Sequence, residues 1–350
     1  MPVNLLFTVL NDAAFMANTQ LKDIAQKLGI SISTVSRAFR NSHEVSPKTR
    51  KLVQEMVETL NYRPNPHARS LRSKKSKTIA VLVPDISNNF FANALKGIET
   101  VIHSEGYNLM IYQTNDNYAV EKKILNELET GLVDGVLLSA ALNKEKNFMH
   151  VEELRRHLPV VFFDRFIPGS PAPRVISDNV NATYMAAKHL LQTGSKNIYF
   201  IGIDPSISLI ADRLKGFKKA MAEKNIEVSQ DKILYFRDIE TAYVQLKTIL
   251  SQAKQPVAFF SSVERYALQL YKVCDELKLK IPKDVKVITY SNNPYTSLFS
   301  TKLSIIVPPA FDIGNKASEI LLNLIKERTV IKKEIVLPCT LTLEQSSAGK

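Results

Sequence analysis

The 350-residue chain carries 46 Lys+Arg against 34 Asp+Glu, a net charge of +12, with six His, two Cys and no Trp. That length accommodates more than one domain, and two cysteines, Cys274 and Cys339, exclude a disulfide framework or a cysteine-rich metal module, leaving a reducing cytoplasm as the default compartment. The charge is uneven: residues 1–77 hold 13 Lys+Arg against 5 Asp+Glu, and the remaining 273 residues hold 33 against 29. A basic head on a nearly balanced body is the electrostatic footprint of a partner rich in phosphate.

At the N-terminus, Leu5-Leu-Phe-Thr-Val-Leu10 and Ala13-Ala-Phe-Met-Ala17 imitate a secretory signal. The positive leader is missing and the apolar run is too short. No run reaches the length of a membrane span. Residues 1–17 are expected to be a disordered extension, with Met16 the expected start of translation in place of Met1.

The first elements are two short helices joined by a tight turn. Leu21, Ile24, Ala25 and Leu28 recur at helical spacing, Gly29 stands where a helix ends in a left-handed residue, and Ser31 can cap a second helix. Val35 and Ala38 fall on the inner face of that helix, and Ile32, Ser33, Thr34, Ser36, Arg37 and Arg40 on its outer face. Short hydroxyls, an aliphatic and arginines suit a helix lying in a DNA major groove, although a solvated surface hairpin would show the same periodicity. Ser46-Pro47 opens a third helix whose Leu52, Val53, Met56, Val57 and Leu60 can close a three-helix core. The run 63–77 that follows is basic and almost free of apolar side chains. It reads either as a plain linker or as a short DNA-contacting helix, capped by Asn65 and opened by Pro66, that offers Leu71 as an apolar wedge.

From Thr78 onward β-branched runs alternate with helical stretches. Strands are expected at 79–83, 107–112, 135–139, 160–163, 174–177, 198–203, 232–235, 257–261, 285–290 and 303–307, with a last one near 334–341. Helices are expected at 90–105, 120–130, 147–156, 182–192, 210–224, 241–252, 265–277 and 310–326. Such alternation predicts an α/β fold of doubly wound parallel sheets covered by helices on both faces, with ligands outside the carboxyl ends of the strands. No Gly-x-Ser-x-Gly elbow, phosphate-binding glycine loop or metal-ligand spacing occurs, so no catalytic residue, metal or cofactor is assigned. The six histidines are scattered and read as surface or packing residues, with His67 placed to touch phosphate.

The segment from Leu21 to Phe39, Val45-Ser-Pro-Lys-Thr-Arg50, Asn61-Tyr-Arg-Pro-Asn65, Ala68-Arg-Ser-Leu-Arg72 and Thr78-Ile-Ala-Val-Leu-Val-Pro-Asp-Ile-Ser-Asn88 resemble the lactose-repressor family of bacterial transcription regulators. The likeness continues through Val133-Asp-Gly-Val-Leu137, Val175-Ile-Ser-Asp-Asn179, Arg213-Leu-Lys-Gly-Phe217 and Ile281-Pro-Lys-Asp-Val285, over roughly residues 19–345. It implies a helix-turn-helix head (18–64), a hinge helix and linker (65–77), and a two-lobed core like a periplasmic binding protein (78–345). The expected lobes are discontinuous: 78–162 with about 303–328, and 163–302 with about 329–345.

The resemblance also places ligand residues. Phe90 stands where the family sets a side chain over the effector, and equally reads as a core residue at a helix start. Asp164 and Arg165 end one strand and Asp178 the next. Arg213 stands where relatives bind a sugar hydroxyl or an anionic group; the alternative is an ion pair with Asp212 or Asp178. Two positions depart from the family pattern. Val263-Glu264 replaces an Asn-Asp pair, and Ser291 replaces a pocket aspartate, which leaves Arg165 and Arg213 less neutralised and points to a sugar phosphate or sugar acid. A protein partner, or no small molecule, remains the alternative.

The expected function is therefore a sequence-specific DNA-binding regulator, a repressor of carbohydrate-related genes. It would act as a homodimer on a pseudo-palindromic double-stranded operator in the cytoplasm, controlled by a small molecule between the lobes. Ile32, Ser33, Thr34, Arg37, Arg40, Asn65, His67, Ala68 and Leu71 would meet DNA; Phe90, Asp164, Arg165, Asp178, Arg213, Glu264 and Ser291 the effector. A solute-binding protein for transport would need an export signal and no DNA head, and a sugar-modifying enzyme would need a convergent acid–base set.

Overall fold

The computed structural model describes residues 20–39, 44–60, 62, 75–143, 147–327 and 333–349. The chain divides into two compact units, residues 1–74 and 75–350.

In the first unit, α1 (Leu21–Leu28) is opened by Gln20, whose backbone N–H donates to Asp23 Oδ2 at 2.7 Å, completing a reciprocal cap. Gly29 ends it at φ +64°, a left-handed turn that a side chain would strain. Ser31 Oγ accepts the Thr34 N–H at 3.1 Å and opens α2 (Ile32–Phe39). Ser46 Oγ accepts the Thr49 N–H at 3.2 Å, and Pro47 takes the first position of α3 (Pro47–Thr59). Ile24, Ala25, Val35, Ala38, Val45 and Val53 form the core, flanked by Met56, Val57 and Leu60. Leu52 differs from expectation: it is 46 % exposed. One residue is 100° of helix rotation, so with Val53 facing the core, Leu52 turns to the side.

The second unit holds two six-stranded sheets. Strands β1 (Thr78–Val83), β2 (Asn108–Gln113), β3 (Gly135–Leu138), β4 (Val160–Phe163), β5 (Arg174–Ser177) and β11 (Glu334–Leu337) make the first, in the order β11-β5-β4-β3-β1-β2. Strands β6 (Ile198–Gly202), β7 (Ile233–Tyr235), β8 (Val257–Ser261), β9 (Val285–Tyr290), β10 (Ser304–Val307) and β12 (Thr340–Thr342) make the second, ordered β12-β10-β9-β8-β6-β7. Pairing is parallel except for β12, which runs antiparallel to β10 at the edge. Apart from Thr78 at the start of β1, the central strands are buried along their length, as β-branched runs covered on both faces must be.

Helices α4 (Asn89–Ser104), α5 (Tyr118–Leu128), α6 (Met149–Arg155) and α11 (Ala310–Ile325) belong to the first lobe. Helices α7 (Asn179–Gln192), α8 (Ser208–Ala222), α9 (Ile239–Gln252) and α10 (Glu264–Glu276) belong to the second. Each lobe contains one close helix crossing made possible by glycine. A Cβ on Gly97 of α4 would overlap the Phe311 carbonyl oxygen of α11, and one on Gly314 would overlap the Ala94 carbonyl oxygen. A Cβ on Gly216 of α8 would meet the Val180 carbonyl oxygen of α7.

The sheets correct the expected lobe limits. The first crossing follows Ser177, not residue 162, because β5 pairs with β4. Strand β10 lies in the second sheet, paired to β9, and the second crossing leads from it into α11. The expected last strand is two strands, one in each lobe. Pro338 lacks the N–H a continuing ladder needs and sits at the third crossing, between β11 and β12.

Candidate functional site

On the first unit, the polar side chains expected to meet DNA share one side of α2. Ile32 and Ser33 are exposed, Thr34 half-buried and Arg37 exposed, while Val35 and Ala38 face the core. Ser31 Oγ is hydrogen-bonded to Ser33 Oγ at 2.7 Å and Thr34 Oγ1 at 2.8 Å, which orders the hydroxyls at the start of α2. Arg37 Nη1 lies 3.1 Å from Glu44 Oε2. A pair this exposed contributes at most about 1 kcal/mol, so a phosphate or a guanine edge can displace the carboxylate. Glu44, which the sequence reading did not assign, is thus the carboxylate paired with Arg37. Arg40, Asn65, His67, Ala68 and Leu71 lie outside the described residues.

In the second unit the expected effector residues gather where parallel strands end. Asp164 and Arg165 follow β4. Asp164 is buried, and its backbone stands at φ +60°, a costly conformation for a residue other than glycine. Burial pushes its carboxyl up to about 6, against the pull of Arg165 and Arg213 and with a further push from Asp116. Arg165 is buried too. Its Nη1 is ion-paired with Asp116 Oδ1, and its Nε, 3.8 Å from Asp164 Oδ2, has no hydrogen-bond partner.

Arg213, on α8 of the second lobe, is buried. Its Nε donates to Asn179 Oδ1 at 2.8 Å, its Nη1 to the Ser262 carbonyl oxygen, and its guanidinium carbon lies 3.4 Å from the Tyr290 ring centroid. Burial lowers its pKa, opposed by Tyr290 and Asp164. Neither Asp212 nor Asp178 pairs with it. Asp178 instead caps α7, its Oδ1 accepting the Asn181 N–H at 3.1 Å. Glu264 opens α10, and its Oε1 accepts from Asn293 Nδ2 at 2.8 Å. Burial raises the Glu264 pKa, opposed by Asn293 and Ser291. Ser291 Oγ accepts the Asn293 N–H at 3.0 Å, so Glu264 and Ser291 come together.

Two expectations change. Arg165 is not left without a counter-charge, since Asp116 holds it, and Glu264 brings a carboxylate to Ser291. Phe90 sits in the first-lobe core, edge-on to Phe91 at 5.2 Å between centroids, as its packing reading has it. The residues missed were Asp116, Asn179, Ser262 and Tyr290. Each lies at or just past a strand end, a position legible in sequence, but which of them turn toward Arg165 or Arg213 depends on loop geometry. A pocket of about 10 Å³, room for one water, lies between Ala140, Ala141, Asn143 and Arg165–Pro168 of one lobe and Ser206–Ser208 of the other. The Phe166 N–H donates to Ser208 Oγ across it at 3.3 Å. The pocket wall is braced from behind: buried Glu121 accepts the Ala141 N–H at 2.6 Å and meets His150 Nε2 at 2.9 Å.

Residues 20–65 match the model of bacterial regulatory proteins of the lacI family, and residues 187–347 match a periplasmic binding protein-like domain. Catabolite control protein A of Priestia megaterium is 31 % identical over 338 residues, covering 94 % of this chain and 99 % of the relative. This chain belongs to the LacI family. The transcriptional repressor PurR of Vibrio vulnificus is 32 % identical over 312 residues, 88 % of this chain and 92 % of the relative. In fold, the lac repressor dimer bound to operator and an anti-inducer superposes with a TM-score of 0.82 at 22 % identity, over 94 % of this chain and 99 % of that one. The LacI-family chain is thus a DNA-binding transcriptional regulator and not an enzyme. Among the described residues no helix is long and apolar enough to cross a membrane.

Proposed function

We propose that the protein is a repressor of carbohydrate-related genes, acting in the cytoplasm as a homodimer on a pseudo-palindromic operator and released or engaged by a small molecule between its lobes. The observation that carries the reading is the union, in one chain, of a helix-turn-helix head with a two-lobed core, over nearly the full length of relatives that include repressors. Helix α2 would enter the major groove of one half-site, with Ser33, Thr34 and Arg37 at base edges and Ile32 against a thymine methyl. Arg40, Asn65, His67 and Ala68 would hold the backbone, and Leu71 would pry open the central step.

For the effector, the charge balance favours a hydroxyl-rich neutral molecule over the sugar phosphate or sugar acid that the sequence suggested. Arg165 is already engaged by Asp116, and Asp164 and Glu264 can accept hydroxyl hydrogen bonds. Asp164, Arg165, Arg213, Glu264 and Ser291 would contact it, with Phe90 and Asp178 holding the helices behind. Thermal-shift screening of neutral sugars against their phosphates and acids tests this, and a phosphate binding more tightly than every neutral analogue would reverse it.

Dimer contacts are supported by exposed apolar surface on both lobes. Strand β2 is an open sheet edge with Met110 and Ile111 exposed, and the short 3₁₀ turn Pro294–Leu298 exposes Tyr295 and Leu298. The apolar face of α4 is not free for pairing, since Phe91, Ile98 and Ile102 are buried in their own lobe. Light scattering of wild type and Leu298→Asp, with a gel shift against genomic fragments at two salt concentrations, tests dimer and DNA binding together. A wild-type chain that stays monomeric and retards no fragment would refute the reading.

A further inference from the structure

The chain enters the core through Lys75-Ser76-Lys77, and Asp134, at the start of β3, takes hold of it there. Asp134 Oδ1 accepts the Ser76 N–H at 2.6 Å and the Ser76 hydroxyl at 3.0 Å, while Oδ2 accepts the Lys77 N–H at 3.0 Å. Ser76 Oγ in turn accepts the Thr78 N–H at 3.2 Å. The Lys77 carbonyl accepts from the N–H of Asn108, the first residue of β2, at 2.8 Å, and the Thr78 carbonyl accepts from Asp134 N–H at 2.8 Å. Lys77 is held at φ +53°, its ammonium 4.1 Å from the Tyr107 ring centroid. Strand β1 does not need this arrangement: from Ile79 onward it is paired on both sides, to β2 and β3. Both carboxylate oxygens are used on the residues upstream of the strand, which lead only to the first unit. Charge-assisted hydrogen bonds of this kind are stronger than neutral ones, and three from one half-buried carboxylate fix a segment that belongs to no helix or strand.

We propose that Asp134 is a positioning residue that sets the point from which the chain departs toward the DNA-binding head, and so sets the half-site separation a dimer accepts. This rests on the reading of the protein as a dimer on two half-sites. Freeing residues 75–77 lengthens each tether by up to about 10 Å, against about 3.4 Å for one base pair, enough to blur a change of one or two base pairs. Loosened tethers also lower the effective concentration of the second head, so affinity for the best-spaced site falls while affinity for a single half-site does not.

The test uses the full-length chain and duplexes selected by the wild type from random-sequence DNA. These are then remade with one or two base pairs inserted at the centre, and as a lone half-site. Wild type should lose at least about tenfold in affinity on insertion, and Asp134→Ala less than about threefold, with half-site affinity unchanged and a cooperative thermal melt retained. Asp134→Ala discriminating as sharply as wild type would overturn the clamp. A wild type indifferent to spacing would instead overturn the two-half-site reading beneath it. Should Asp134→Ala fail to fold, Asp134→Asn, which removes the charge and puts an amide nitrogen where one of the two accepting oxygens stood, is held to the same two outcomes.

Discussion

Replacing Asp164 by Asn should make this protein more stable at neutral pH, and the size of the gain can be worked from the structure. The carboxyl is buried and its pKa rises from 3.8 to about 6, so burial outweighs the attraction of Arg165 and Arg213. A raised carboxyl pKa means the folded state holds the proton more tightly than the unfolded one, so stability falls as pH climbs from 4 through 6 and the loss is complete above that window. About two pKa units correspond to about 3 kcal/mol. Asn is nearly isosteric, carries no charge, and tolerates the left-handed φ of +60°. The variant should therefore melt about 6–12 °C higher than wild type at pH 7.5, with about half the free-energy gain at pH 5 and almost none at pH 4. Paired thermal melts across that range measure it. A variant less stable than wild type at pH 7.5, or one whose gain does not change with pH, would refute the reasoning. Retention of a destabilising carboxylate implies a use for it, and effector affinity should fall in the same variant.

Glu44→Gln should raise non-specific DNA affinity a few-fold, on the order of 0.5–1 kcal/mol, by releasing Arg37; fluorescence anisotropy at two salt concentrations reads it, and unchanged affinity would show that Glu44 does not compete. Arg37→Ala should cost about 1–3 kcal/mol on the selected operator, and much less on unrelated DNA if the contact is to a base. Gly97→Ala should lower stability by about 1–3 kcal/mol or more in a denaturant melt, since the Phe311 carbonyl leaves no room for a methyl group. His189, whose ring contacts Ser347 Oγ at 3.0 Å and whose pKa burial lowers, should destabilise the fold as pH falls below about 6.5. His189→Gln should flatten that acid limb relative to wild type.

Much of this architecture is legible in the sequence because the deciding residues act locally. Gly29, Ser31, Ser46 and Pro47 fix helix ends by conformational preference and side-chain capping, and the β-branched runs announce fully buried parallel strands. Sheet membership was harder to read. Whether β5 and β10 stay with the preceding strand or cross to the other lobe is set by the strands they pair with, β5 with β4 and the distant β11, β10 with β9 and β12, and a strand's own residues do not carry that choice. The cleft was half legible for the same reason. Strand ends located Asp164, Arg165, Glu264 and Ser291, but the partners that decide their charge, Asp116 and Asn293, come from loops whose course periodicity does not predict. The face of α4 shows the limit most plainly. An apolar stripe at helical spacing fits a partner chain or a neighbouring helix equally well, and only Gly97 and Gly314, two small residues at one crossing, decide for α11.

The placement of these features constrains how a signal can travel. Parallel strands give each lobe two unlike ends. Asp164, Arg165, Arg213 and Glu264 stand at the carboxyl ends, where the lobes face each other, whereas Asp134 and Ser76 stand at the amino ends of the first sheet. The described end of the linker, Ser76 and Lys77, is therefore fastened to the first lobe. An effector that changed the angle between the lobes would leave the linker's attachment within the first lobe unaltered, because β1, β3 and Asp134 belong to one buried sheet that resists deformation. What such an effector can change is the placement of one first lobe against that of its partner, provided the second lobes hold the dimer together. On the proposed dimer, the exposed Tyr295 and Leu298 of the second lobe would act as the fixed pivot, and the open β2 edge of the first lobe as the contact that shifts. By linkage, an effector that weakens operator binding must itself bind more weakly to the operator-bound protein by the same factor. Substitutions at Leu298 should then abolish assembly, while substitutions at Met110 and Ile111 should leave the dimer intact and change the ratio of operator affinities with and without effector.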